Sequence, residues 1–403
     1  MNNKNLMLVI TLTLAGLGMI GPFATDTYLP SFQEIEAEYG VSEVLVQQTL
    51  SVYLVMFAVM TLVYGTLSDI FGRKPVILIG LSIFLSASVF AAFAPNFECL
   101  LIARALQGIS AGAGVVVGQA IVRDLYKGST AQQLMANIAM VFALAPALAP
   151  VIGGFIADYY GWRFVFVFIA AYALVMLFCT TRYLPESLPP SERQPIDLRN
   201  LIVQYKASLK DIGFVCAALG TGLSFAGQGI YIACASNIIV KILGMNATDF
   251  AWLFIPMITG TAFGSWVSGR LANYFSTIRI VNIGLSLLVV GAVMDFLFAI
   301  YLPRLPVPWI FAPLTVFVTG ASIARPGMVI LSLDMRRKTL GLASSLISFA
   351  QTVVFATTAG VIAPLVFGSL EKISFCTLTF SILSVVFWTL GGFLRRHLKS
   401  ETV

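Results

Sequence analysis

The 403-residue chain is 59% hydrophobic and only 10% charged, with a mean hydropathy of +0.93, against about 25% charged residues in a soluble domain. That excludes a water-soluble globular protein and leaves an all-α polytopic membrane protein. The net charge of +6 would suit a nucleic-acid partner, but the placement of the charges argues against one.

Windows of about 20 apolar residues predict twelve transmembrane helices, near 6–28, 45–67, 76–95, 99–122, 133–156, 163–184, 211–235, 250–269, 280–302, 308–332, 340–367 and 373–394. With the N-terminus inside, alternate loops hold Lys4; Arg73 and Lys74; Arg123 and Lys127; Arg182, Arg193, Arg199, Lys206 and Lys210; Arg270 and Arg279; Arg336, Arg337 and Lys338; and Arg395, Arg396 and Lys399. The opposite side holds only Arg163, Lys241, Arg304 and Lys372. This asymmetry follows the positive-inside rule, so both termini are expected in the cytoplasm and the basic excess is a topology signal. No nucleic-acid partner is expected.

The first span is too long for the h-region of a signal peptide and has only Lys4 before it, so it is read as an uncleaved helix. Its outer half carries Ala24-Thr25-Asp26-Thr27-Tyr28-Leu29-Pro30. An aspartate near the centre of a span costs roughly 2.5 to 3.5 kcal/mol. Asp26 therefore needs a reason, and the expected one is exchange of a proton during transport of a small molecule. In the second span, Tyr53 is a candidate wall of a substrate cavity, and the span closes with Gly65-Thr66-Leu67-Ser68-Asp69-Ile70-Phe71-Gly72-Arg73-Lys74-Pro75. Gly65 is expected to let two helices approach closely, Asp69 to face the positive N-terminal end of a neighbouring helix, and Arg73 and Lys74 to add cytoplasmic charge.

The fourth span reads Arg104-Ala105-Leu106-Gln107-Gly108-Ile109-Ser110-Ala111-Gly112, with Arg104, Gly108 and Gly112 on one helical face. An arginine in a span faces a cavity or a partner, or snorkels to the interface. Arg104 lies five residues after Cys99, and both readings are open. Gln119 follows as a candidate substrate contact. In the fifth span, Asn137 and Met140 are further cavity candidates. Beyond them Ala145-Pro146-Ala147-Leu148-Ala149-Pro150-Val151-Ile152-Gly153-Gly154 puts two prolines and two glycines in a bilayer-crossing helix, which frees backbone groups and suits an element that repacks.

Residues 186–210 form the one long polar stretch. They divide the chain into an N-terminal six-helix bundle (1–185), a cytoplasmic linker (186–210) and a C-terminal six-helix bundle with a short cytoplasmic tail (211–403). Duplication is faintly visible: Ser265-Trp266-Val267-Ser268-Gly269-Arg270 echoes the sequence closing the second span, at an offset of 200 residues that sets Asp26 against the region of Gln228. Candidate contacts in the second half are Phe225, Gln228 and Tyr231, then Phe254, then Phe349 and Gln351. Asp295 lies near the outer end of its span and is expected at the interface. Arg325, followed by Pro326, either attracts an anionic substrate or pairs with an acid. His397 is expected to be solvated. The five cysteines, Cys99, Cys179, Cys216, Cys234 and Cys376, stand singly without metal-ligand spacing and are read as packing residues, so no metal and no cofactor is expected.

The loop Gly65–Pro75 resembles the GxLaDrxGrk loop of the major facilitator superfamily, Arg104–Gly112 resembles its RxxqGxgaa motif, and 143–154 is similar to its antiporter motif, with Ala145 and Ala149 where glycines are usual. Together with Asp26-Thr27-Tyr28-Leu29-Pro30, Ser51-Val52-Tyr53-Leu54, Arg123-Asp124 and Gly341–Leu346 with Gln351, these resemble the Bcr/CflA family of bicyclomycin- and chloramphenicol-resistance transporters. That resemblance implies the major facilitator fold, with twelve transmembrane helices in two pseudo-symmetric six-helix bundles and substrate sites near the bilayer midplane. It implies multidrug efflux by drug-proton antiport and alternating access in a bacterial inner membrane, by a monomer whose partners are protons, a small-molecule substrate and the lipid bilayer. It gives Asp26 and Arg104 proton coupling, and Gly65, Asp69, Gly72, Arg73, Lys74, Pro146, Pro150, Gly153 and Gly154 conformational gating. An alternative cargo is one endogenous metabolite, such as a siderophore or peptide-like product. An enzyme is not expected, because the chain lacks a His cluster, paired carboxylates, GxSxG and a Walker lysine motif. Nor does any stretch resemble a channel filter.

Overall fold

The computed structural model describes residues 3–126, 134–135, 138, 145–193, 198–302 and 305–400. Among them every regular element is helical, and the chain forms two compact units, Met1–Ile196 and Asp197–Val403. Among the described residues ten helices are long and apolar enough to cross a membrane. The two other predicted spans are 133–156, part of which lies outside the described residues, and 250–269, a helix with interspersed Gly, Thr, Ser and Trp.

The first unit contains α1 (Asn3–Asp26), α2 (Phe32–Tyr39), α3 (Glu43–Phe71), α4 (Arg73–Ala92), α5 (Phe97–Leu125), α6 (Ala145–Tyr160) and α7 (Trp162–Tyr183). Its boundaries follow local chemistry. α1 ends at Asp26, and a turn leads into a 3-10 helix, Leu29–Ser31, with Pro30 in its opening turn. Ser42 caps α3, and Asn96 caps α5 by accepting from the Cys99 amide at 2.8 Å. Gly72, at φ 100°, makes the turn between α3 and α4 that a residue with a Cβ rarely adopts. α5 packs against α1, α3 and α4, while α4 and α7 pack together. Helices in lipid associate through close packing rather than a hydrophobic drive, and here glycine supplies the closeness: a Cβ on Gly108 would stand 2.2 Å from the Tyr53 carbonyl oxygen.

The second unit contains α8 (Leu198–Leu209), α9 (Ile212–Ala233), α10 (Ala251–Leu271), α11 (Thr277–Tyr301), α12 (Ala312–Leu333), α13 (Leu340–Thr357), α14 (Ala363–Val366) and α15 (Leu370–Ser400). Wider π-helical turns, Asn237–Ile242 and Thr358–Ile362, follow α9 and α13. α11 and α12 interlock through small residues, since a Cβ on Gly320 would meet the Leu288 amide nitrogen at 2.2 Å and one on Gly284 the Ala324 nitrogen at 2.5 Å. α9 is enclosed by α12, α13 and α15. Part of the expected linker, 186–210, is helical as α8, which the polar composition of that stretch did not disclose.

Candidate functional site

Asp26 is the last residue of α1 and is only 6% exposed. Its Oδ1 accepts from the hydroxyl of Thr25 at 2.8 Å. The carboxylate therefore sits at the end of the helix where the macrodipole is negative, which disfavours an anion. Relief comes from α5. Arg104 is fully buried, and its Nη1 donates to the carbonyl of Ala24 at 2.9 Å and to Gln107 Oε1 at 2.7 Å. Gln107 passes the link on, donating from Nε2 to Ser88 Oγ of α4 at 2.8 Å. The guanidinium carbon lies 4.7 Å from the centre of the Tyr28 ring and 4.6 Å from that of Tyr53, positions in which a cation gains from the ring quadrupoles.

Burial settles where Arg104 points: it lies inside the first unit and does not snorkel to the outer interface. No ion pair joins it to Asp26 among the described residues. Tyr53 stands within electrostatic reach of both charges, and its buried hydroxyl has no partner among the described residues. Tyr28, Gln107 and Ser88 are parts of this cluster that sequence reasoning missed. Gln107 was legible as the residue one turn beyond Arg104 on α5, and Tyr28 as the residue two beyond Asp26 in the turn after α1, whereas Ser88 comes from α4 and carries no sequence signal.

The glycine- and proline-bearing helix meets the same place. A Cβ on Gly153 of α6 would lie 2.0 Å from the carbonyl oxygen of Thr27, the residue after Asp26. Pro150 and Gly154 are buried in α6, and Pro146 is described only as part of that helix. Asn137 and Met140 lie outside the described residues.

At the other end of α3 a second polar cluster forms. Arg73 Nη1 pairs with Asp69 at 2.6 Å and donates to Ser68 Oγ at 2.6 Å, and its Nε pairs with Asp124 at 3.0 Å. Ser187 also donates to Asp124, at 2.8 Å. Two expectations are corrected. The carboxylate at a helix N-terminus is that of Glu186, which accepts from the amides of Arg73 and Lys74 at 3.0 and 3.2 Å. Asp69 pairs instead with the side chain of Arg73, the first residue of α4, across the Gly72 turn. A Cβ on Gly65 would meet nothing within 4 Å, so this glycine mediates no close approach; Gly72 does, its would-be Cβ standing 2.7 Å from Glu186 Oε2 and 2.8 Å from Arg193 Nη2. Lys74 Nζ donates to the Thr181 carbonyl at 2.9 Å.

The remaining candidates separate by burial. Gln119 is exposed on α5, and Tyr53 and Phe254 are buried in the packing of their units. Asp295, expected at the interface, is only 4% exposed and accepts from the Tyr231 hydroxyl at 2.7 Å. This too is a correction, and it explains why Tyr231 points to α11: a buried carboxylate needs a donor. Phe225, Gln228, Arg325 and Gln351 are each half-buried in the second unit, as is Phe349. Arg325 Nη2 donates to Gln228 Oε1 at 3.3 Å, and its guanidinium carbon lies 5.1 Å from the centre of the Phe225 ring. Among the described residues no group of His, Cys, Asp and Glu is arranged to hold a metal.

The geometry agrees with what the chain resembles. The Major Facilitator Superfamily profile matches residues 6–359. Multidrug resistance protein D of Escherichia coli (strain K12) is 32% identical over 276 residues, covering 68% of this chain and 68% of that protein. The bicyclomycin resistance protein homolog of Haemophilus influenzae is 32% identical over 294 residues, covering 71% and 72%. The crystal structure of the human organic anion transporter MFSD10 superposes with a TM-score of 0.61 over 97% of this chain and 100% of that one, at 19% identity, a likeness of fold alone.

Proposed function

The chain belongs to the major facilitator superfamily, in the branch of the bicyclomycin- and chloramphenicol-resistance transporters, and from that premise we propose that it is a proton-coupled exporter of small amphipathic compounds. It works as a monomer in the bacterial inner membrane with both termini in the cytoplasm. The observation that carries this reading is the carboxylate of Asp26, buried at the end of a transmembrane helix with one hydroxyl as its hydrogen-bond donor.

Asp26 takes a proton from the outer side and yields it inward as cargo is loaded. Arg104 is the group that times release. It grips the carbonyl of Ala24, two residues before Asp26, so a small shift of α1 against α5 transfers the guanidinium from a carbonyl to the carboxylate and drives the proton off. The glycine contact between α6 and Thr27 ties the same helix end to an element able to repack, and the cluster around Arg73 holds the opposite end of α3. Chemistry at Asp26 is thereby linked to movement of helices.

The test is transport in everted vesicles or proteoliposomes under an imposed pH gradient, with chloramphenicol and bicyclomycin as probes. Wild-type protein moves at least one of them against its gradient, and Asp26→Asn folds but does not. Failure of the wild type to move either probe sinks the exporter reading; unchanged gradient-driven transport by Asp26→Asn sinks the proton assignment.

A further inference from the structure

Arg325 lies within the membrane span Trp309–Arg336. Its neighbour Ala324 is packed into α11 against Gly284, and one residue on, the arginine turns instead to α9. There it finds one long hydrogen bond, to Gln228 Oε1 at 3.3 Å, and one aromatic face, that of Phe225. Phe225 in turn meets Phe355 of α13 edge to face at 5.4 Å. Nε of Arg325 is buried without an acceptor. Among the described residues no carboxylate pairs with it, and Asp295, the acid buried in α11, is engaged by Tyr231.

A guanidinium offers five donors and a full charge. A neutral amide and a ring satisfy little of either, and an uncompensated cation in a span is expensive. The arginine is half-buried, and both of its contacts among the described residues are on α9. What the cluster lacks is an anion with paired oxygens, to which an arginine fork is matched. Beside that vacancy of charge stand two aromatic side chains, Phe225 and Phe355, which suit the apolar body of such a molecule.

We propose that Arg325, oriented by Gln228 and flanked by Phe225, binds the anionic group of those exported compounds that carry one, so that the cargo range extends to amphipathic organic anions, a carboxylate or sulfonate carried on an aromatic body. The inference rests on the exporter reading and names the class of its substrate. Arg325 provides the charge and the fork; Gln228 is a positioning residue that holds the guanidinium over Phe225.

The experiment is equilibrium binding of 1-naphthoate and of the isosteric neutral 1-naphthamide to the full-length protein in detergent. The reported quantity is the ratio of their dissociation constants. Wild type favours naphthoate by about tenfold or more, the scale of one charge-assisted hydrogen-bonded pair. Arg325→Gln brings the ratio to near one, and Arg325→Lys, which keeps the charge without the fork, falls between. The lysine variant together with a thermal melt separates loss of the receptor from loss of the fold. No preference for naphthoate in the wild type, or a wild-type preference retained in Arg325→Gln, overturns the proposal. Binding is read without a gradient, so the two readings fail separately. Gradient-driven export of chloramphenicol with no naphthoate preference removes this inference alone, and naphthoate selectivity with no driven transport removes the exporter reading alone.

Discussion

Two arginines sit within transmembrane helices, and they are held in opposite ways. Among the described residues Arg104 has two short hydrogen bonds, three aromatic faces and no exposure, with Nε and Nη2 buried without an acceptor. Arg325 has one long bond, one aromatic face and partial exposure. The cost of putting a cation in a bilayer is similar for both, so the difference lies in what compensates it. For Arg104 the protein supplies part of the compensation itself, from the end of α1, from Gln107 and from the rings of Tyr28, Tyr53 and Phe166. For Arg325 it supplies a cradle, with no carboxylate paired to it among the described residues. Arg104, fully buried, is part of the packing of its unit, whereas Arg325, half-buried, can be reached by a counter-charge.

The largest expected effect comes from replacing each arginine with methionine, which keeps an unbranched apolar stem and removes every donor. Arg104→Met leaves the Ala24 carbonyl and Gln107 Oε1 buried without their donor, at about 1 to 3 kcal/mol for each unsatisfied group. Its melting temperature in detergent should fall markedly, and gradient-driven transport should be lost with it. Arg325→Met forfeits one weak bond and a desolvated charge, so its melting temperature should stay close to wild type while selectivity among cargoes changes. Equal thermal losses in the two variants would erase the contrast.

Next in size is Gly153→Ala. The added methyl would lie 2.0 Å from the Thr27 carbonyl oxygen. Backbone cannot yield as a side chain does, so α6 must move off the end of α1, with an overpacking cost of about 1 to 3 kcal/mol. Transport should drop although Asp26 is chemically intact. Gly65→Ala is the matched control for stability, since its methyl meets nothing within 4 Å and the melting temperature should not change. A Gly153→Ala protein that melts and transports like wild type would show that the contact with Thr27 is not part of the coupling.

How much of this was legible beforehand depended on whether the physics was local. The spans, the cost of Asp26, the loop around Gly72 and the oddity of Arg325 are properties of short stretches, and hydropathy and residue chemistry disclose them. The partner of Asp295 was not legible, because Tyr231 is 64 residues away and the pairing exists only once α9 and α11 pack. Glu186 was hidden for a similar reason, as it reads as one acid in a polar stretch until its 113-residue distance from Arg73 is closed by folding. Arg104 was half legible: its cost could be read, but whether it faced the interface or the protein depended on Tyr28, from the turn after α1, and Tyr53, from α3, arriving beside it. The misplaced role of Gly65 has the same origin, since a glycine shows that a close approach is allowed and not that a neighbour uses it.

The smallest expected effect sharpens the contrast at the ends of the helices. In the first unit Glu186 accepts from the amides of Arg73 and Lys74 at the start of α4, and from the amide of Leu188 at 3.0 Å. The echoing position in the second unit, Arg270, lies over the Trp266 ring at 5.2 Å, with no comparable ion-pair cluster among the described residues. Glu186→Gln keeps one acceptor oxygen and removes the negative charge from the positive end of α4, a loss of about 0.3 to 1 kcal/mol at low ionic strength. The melting temperature should fall slightly at low salt, and the gap to wild type should close as salt rises, because screening weakens an exposed charge. A gap that persists at high salt would mean that Glu186 acts through the shape of its hydrogen bonds, in which case Glu186→Asp, charged but one methylene shorter, should be as damaging as the glutamine.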